Sequence, residues 1–195
     1  MLGIIFQRVI NVLTDLGSRK VVIKIVYTGP AMSGKTTSLR HLFNKFDRKT
    51  DLQSIETREG RTLFFDWGSV YIQKGQWKFQ IDLWSATGQD FYAETRPTVL
   101  SGVDGIVFVA DSQLHLMDDN KSSWNELNLM LGNRISQIPI IISLNKRDFP
   151  NTISTSEFKQ ALSLNNSMEL FETIAVEGVN VLECFKALIQ KIFNH

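Results

Sequence analysis

Apolar positions along the chain fall into two kinds of run. Residues 21–27 (Val-Val-Ile-Lys-Ile-Val-Tyr), 105–110 (Gly-Ile-Val-Phe-Val-Ala) and 138–144 (Ile-Pro-Ile-Ile-Ile-Ser-Leu) are short and nearly continuous. Such runs suit parallel strands covered on both faces. Residues 62–71 and 77–84 alternate instead, which predicts two paired strands joined as a hairpin through Lys74-Gly75. Helical spacing predicts helices over 37–46, 123–131, 155–162 and 181–193. Residues 47–60 are polar and aperiodic and read as a long loop, a feature that is usually functional inside a compact domain. Strand and helix alternate along most of the chain. The expected fold is α/β: three α/β/α layers around a mostly parallel sheet of about six or seven strands, with one antiparallel edge.

The first twenty residues carry a different pattern. Leu2, Ile5, Phe6, Val9, Val12, Leu13 and Leu16 recur at helical spacing, with Gln7, Arg8, Asn11, Thr14, Asp15 and Ser18 opposite. The spacing predicts an amphipathic helical extension over residues 1–20, stopping near Gly17-Ser18, ahead of a domain spanning 21–195. Its apolar stripe has three places to go: its own domain, a membrane surface or a partner protein. Arg8, Arg19 and Lys20 against Asp15 make the segment mildly basic, which suits peripheral contact with an anionic bilayer through residues 1–16.

Composition narrows the class. At 195 residues the chain is most simply one domain with a sizeable core, and apolar and charged fractions are those of a globular protein. A net charge of +1 with interspersed signs gives no reason to expect nucleic acid as a partner. Cys184 is the only cysteine, so no intramolecular disulfide forms; its apolar helical setting predicts a buried, inert thiol. No run approaches a membrane-spanning length, the N-terminus lacks a secretory pattern, and neither a prenylation box nor a correctly placed myristoylation glycine is present. The expected location is cytoplasmic, with peripheral membrane contact as the alternative.

Gly29-Pro30-Ala31-Met32-Ser33-Gly34-Lys35-Thr36 lies between the first apolar run and the first predicted helix. Gly-x4-Gly-Lys-Thr in a strand-to-helix setting is a phosphate-binding P-loop. Its backbone N–H groups, those of Met32, Ser33, Gly34, Lys35, Thr36 and Thr37 included, and the helix's positive end converge on an anion. Lys35 would reach the β- and γ-phosphates, and the Thr36 hydroxyl would ligate Mg²⁺. A second motif, Asn145-Lys146-Arg147-Asp148, follows the strand predicted to end at Leu144 and therefore shares the P-loop's rim. A carboxylate at Asp148 can accept from the N1–H and 2-amino groups of guanine, which adenine does not present. Asp148 is thus the expected base selector.

Together these motifs resemble the Ras-like small GTPases, over nearly the whole chain from Val21 onward. The resemblance implies that Gln89, in Gly88-Gln89, orients the attacking water, and that the Gly88 N–H meets the γ-phosphate. It implies that Ala175, in Ile174-Ala175-Val176-Glu177-Gly178, contacts guanine beside Asn145 and Lys146. Where the family usually has Asp-x-x-Gly-Gln, this chain has Ser85-Ala86-Thr87-Gly88-Gln89. That uncharged position is similar to the MglA group of bacterial and archaeal GTPases, as are Arg61-Thr62-Leu63-Phe64-Phe65-Asp66 and Gly102-Val103-Asp104-Gly105. The likeness implies Arg61 as an internal arginine finger, with Arg58 its neighbouring alternative, and Thr62 as a second hydroxyl ligand to Mg²⁺. Ser85 can support the metal through water without bringing a charge, and the Ala31 methyl can crowd Gln89.

The expected function is a GTP/GDP molecular switch that hydrolyses GTP slowly alone and faster with a partner. The catalytic set is Gln89, Arg61 and Lys35; the metal set is Thr36 and Thr62. The implied partners are an activator of the roadblock type and an effector. Two alternatives stand beside it: a guanine-nucleotide-binding interaction module with negligible hydrolysis, and an Arf/Sar-like membrane-recruitment switch that releases its N-terminal helix.

Overall fold

A computed structural model describes residues 12–46, 65–86, 96–165 and 167–194. Its strands are β1 (Leu13–Asp15), β2 (Lys20–Thr28), β3 (Phe65–Lys74), β4 (Trp77–Ala86), β5 (Gly105–Asp111), β6 (Ile140–Asn145) and β7 (Leu170–Glu172). Its α-helices are α1 (Lys35–Lys45), α2 (Arg96–Leu100), α3 (Met117–Leu131), α4 (Thr155–Ala161) and α5 (Val181–Asn194). The sheet runs β3-β4-β2-β5-β6-β7, with β1 paired to β2. All pairings are parallel except β3 with β4 and β1 with β2.

The topology places the site. β2 is flanked by β4 on one side and β5 on the other, so chain order reverses at its carboxyl end, where open α/β sheets bind ligands. Registers Tyr27↔Ser85 and Asp111↔Asn145 bring the ends of β2, β4, β5 and β6 onto one rim.

Every residue of β5 and β6 is buried, which is why their sequences read as unbroken apolar runs. On one face Ile23, Ile25, Leu83 and Val107 pack with Leu39 and Leu42 of α1 and Phe185 and Leu188 of α5. On the other, Val26, Ile106, Phe108 and Ile142 pack with Trp124 and Leu127 of α3 and Phe158 of α4. These are the expected three layers. α2 and β7 are too short to carry a period of their own, and the sequence pattern does not reveal them.

The N-terminal helix needs correcting where the structure reaches it. Leu13–Asp15 form a strand, paired antiparallel as Leu13↔Val22 and Asp15↔Lys20. The Asp15 carboxylate accepts from Gly17 N (2.9 Å), Ser18 N (3.3 Å) and Ser18 Oγ (2.6 Å), closing a turn at the expected Gly17-Ser18 stop, so the departure from the predicted helix lies in the strand before it. β5 pairs with β2 only from Ile25 onward, which leaves the backbone of residues 20–22 open on that side until β1 fills it. A local turn and an open sheet edge outweigh the helical spacing. Residues 1–11, the rest of the predicted helix, lie outside the described residues, as does the predicted loop over 47–60.

A charged cluster sits where β2 meets the start of β5. Lys24 N donates to Asp104 Oδ2 (2.7 Å), while Lys24 Nζ donates to Ser101 O (2.7 Å) and lies 4.7 Å from the Trp84 ring centre. Burial pushes the Asp104 carboxyl up to about 6 against the pull of Lys24.

Candidate functional site

The P-loop glycines are fixed by what crosses them. Gly29 takes φ 135°, and a Cβ there would overlap the Val109 carbonyl of β5. Gly34 takes φ 106° as the N-cap of α1, and a Cβ there would overlap the Asn145 side chain. No carboxylate occupies the first turn of α1, so its positive end meets an incoming anion unopposed by local charge. Lys35 is 7% exposed and donates from Nζ to Gly29 O (3.0 Å) and Pro30 O (2.6 Å). Its charge is thereby held over its own loop. Thr36 and Thr37 are half-buried on the same turn, Ser33 is buried and Met32 is exposed.

Asn145, 2% exposed at the end of β6, joins the parts. Its Nδ2 donates to Ser33 O of the P-loop (2.8 Å). Its Oδ1 accepts from Ala175 N (2.9 Å) and Thr173 Oγ1 (3.1 Å). One side chain thus ties together the phosphate loop, its own base motif and the Ala175 loop.

Lys146, at φ 66°, pairs through Nζ with Asp111 Oδ2 (2.6 Å). Asp111 also accepts at Oδ1 from Gln113 N (3.0 Å), and the amide of Asn120 brackets its backbone on both sides. The lysine's charge is therefore held by a buried carboxylate and its stem is fixed in place. Arg147 turns away, donating to Ile153 O (2.6 Å) and pairing with Glu172 (2.8 Å). Asp148 is exposed at the rim, where a base can reach it.

Ser85 is the penultimate residue of β4, in register with Tyr27, two residues before Gly29. It is 1% exposed, and its Oγ has no hydrogen-bond partner among the described residues. A buried, unpaired hydroxyl on this rim fits a neutral oxygen supporting a hydrated cation. No group of three or more His, Cys, Asp or Glu among the described residues could hold a metal.

Among the expected site residues, Gly29, Met32, Ser33, Gly34, Lys35, Thr36, Thr37, Asn145, Lys146, Asp148 and Ala175 gather on this rim. Arg61, Thr62, Gly88 and Gln89 lie outside the described residues. The sequence reading assigned no role to Asp111, Asn120, Ser143 or Thr173. Asp111 carried a usable signal, a carboxylate closing a buried apolar strand on the ligand rim. Thr173, which shares a hydrogen bond with Ser143 (2.8 Å), follows a strand too short to mark it.

Comparison with known proteins agrees with this geometry. A family model for the ADP-ribosylation factor family matches residues 9–192. The mutual gliding-motility protein MglA of Myxococcus xanthus is 39% identical over 92% of this chain and 95% of its own length. The GTP-binding protein ypt4 of Schizosaccharomyces pombe is 26% identical, covering 92% of this chain and 75% of that protein. The Ras-related protein Rab7 of Pisum sativum is 23% identical, covering 87% and 82%. With the P-loop, the base motif and their shared hub on one rim, and the family match running over residues 9–192, the chain belongs to the ADP-ribosylation factor family of Ras-like small GTPases.

Proposed function

We propose that this GTPase works as a GTP/GDP switch whose own hydrolysis is slow and whose turnover is set by a partner. The observation that carries the reading is the Asn145 hub, which makes phosphate binding and base binding parts of one site. Lys35 leaves its loop carbonyls for the β- and γ-phosphates, while Asp148, Lys146 and Ala175 hold guanine. Thr36 and Thr62 would hold Mg²⁺, with Ser85 supporting it through water, and the metal would supply charge neutralisation at the phosphates. Gln89 orients the attacking water, and Arg61 offsets the charge that develops as the γ-phosphoryl group leaves.

Slow unaided turnover follows from Ser85, which brings no charge where the family's carboxylate would hold the metal more firmly. The same observation favours a second reading, a nucleotide-binding module that barely cleaves. Single-turnover hydrolysis separates them. A switch gives a rate below about 10⁻² s⁻¹ alone, acceleration by a roadblock-type protein, and loss of that acceleration in Gln89→Leu and Arg61→Ala. No acceleration, and no effect of either substitution, supports the binding module.

In this reading the G domain spans residues 21–195, with β1 tying the preceding segment to its sheet. Contact with a membrane would then run mainly through residues upstream of β1. Liposome flotation with GDP and with a non-hydrolysable GTP analogue tests it, and equal partitioning rules out nucleotide-driven recruitment. Among the described residues, no helix is long and apolar enough to cross a membrane.

A further inference from the structure

Ala175 sits in a tight reverse turn. Ile174 and Val179 pair as an antiparallel bridge, with Ile174 N donating to Val179 O (3.2 Å) and Val179 N to Ile174 O (3.1 Å). Within it Gly178 N donates to Ala175 O (3.3 Å), and Gly178 takes φ 77°, the left-handed conformation that favours glycine. The loop leads directly into α5, as Val181 N donates to Gly178 O (3.3 Å).

Gly178 is also pressed from outside. Its missing side chain would fall within the imidazole of His41, whose Cε1, Nε2 and Nδ1 are the nearest atoms. His41 is half-buried on α1, the helix whose first turn carries Lys35, Thr36 and Thr37. The segment from the P-loop into α1 therefore meets the base loop at two places: Asn145 ties Ser33 to Ala175, and the His41 ring closes against the far end of the turn.

We propose that His41 is a positioning residue for guanine binding, its ring bracing the 174–179 turn so that Ala175 stays at the base. The inference deepens the guanine-nucleotide reading and rests on it. Without the ring, the turn loses the surface that stops it from moving toward α1, and the Ala175 N to Asn145 Oδ1 bond loses its fixed geometry. The phosphate end, held by the P-loop and α1's first turn, keeps its own contacts. Loss of His41 thus weakens retention of the nucleotide more than cleavage of nucleotide already bound.

Displacement of a fluorescent GDP analogue by excess GDP, but not by ADP, first tests the guanine reading on the wild-type protein. Its failure there would sink that reading before any variant is made. Off-rates are then compared for His41→Ala, His41→Phe and Gly178→Ala, beside single-turnover cleavage of preloaded GTP. The expected result is an off-rate raised about fivefold or more in His41→Ala and Gly178→Ala, the scale of one lost contact. His41→Phe, which keeps a flat ring, should restore the slow off-rate, and His41→Ala should change cleavage less than about twofold. A His41→Ala off-rate within about twofold of wild type overturns the proposal. So does failure of His41→Phe to rescue, or a cleavage loss as large as the off-rate gain.

Discussion

Replacing Asn145 with alanine should damage the protein in two separable ways. The side chain is 2% exposed and makes three hydrogen bonds of 2.8, 2.9 and 3.1 Å. Truncation leaves Ser33 O and Ala175 N without their partner, whereas Thr173 Oγ1 keeps Ser143 at 2.8 Å. Two newly unpaired buried backbone groups cost about 1–3 kcal/mol each, so a loss of about 4 kcal/mol is expected. For a domain of this size that lowers the unfolding midpoint by about 8–16 °C. Bound nucleotide adds its own stabilisation by mass action, so urea unfolding is measured without nucleotide in EDTA and again at fixed excess GDP. The nucleotide-free measurement reports the lost ties between loops. The additional loss with GDP reports weakened affinity, because the P-loop and the Ala175 loop no longer share an anchor. A nucleotide-free midpoint unchanged from wild type, together with unchanged GDP affinity, would refute the hub.

Desolvation shifts two further groups in ways that can be measured. The Asp104 carboxyl is pushed up to about 6 from its ordinary 3.8, so the folded protein holds a proton that the unfolded chain releases between those values. Its contribution to stability is greatest below about pH 4 and falls as pH rises to about 6. Asp104→Asn should flatten stability across that window relative to wild type, and parallel pH profiles for the two proteins would contradict the assignment. Burial pushes the Cys184 thiol up to about 12, so at pH 8 a thiol reagent should modify it only after unfolding. Rapid modification of the native protein would show that the helix packing around Cys184 is wrong.

The sheet was legible because its central strands are covered on both faces, which forces unbroken apolar runs such as 105–110 and 140–144. The P-loop and base motif were legible because their chemistry demands particular residues at fixed offsets. Their rim follows from the rule that ligands bind at the carboxyl ends of parallel strands. The Leu13–Asp15 strand was not legible, since its decisive facts are an Asp15-centred turn and a vacant length of β2 edge, both set by the fold. The braces within the site escaped for the same reason. Lys146 finds Asp111 on a neighbouring strand, and Asn145 finds Ser33 and Ala175 on two distant loops. His41 meets Gly178 only because α1 and the loop leading into α5 pack on the same face of the sheet.

Selection of guanine at this rim is tested most directly by the base preference of Asp148→Asn. Affinities for GDP and XDP are measured by competition with a fluorescent nucleotide on wild type and variant. Wild type should prefer GDP by about a hundredfold or more, since a mismatched base leaves polar groups unpaired. The amide introduced by the substitution would donate to the xanthine 2-carbonyl that a carboxylate repels, so the variant should favour XDP. A variant that still prefers GDP over XDP would contradict Asp148 as the base selector, and with it the reading of this rim as a guanine site.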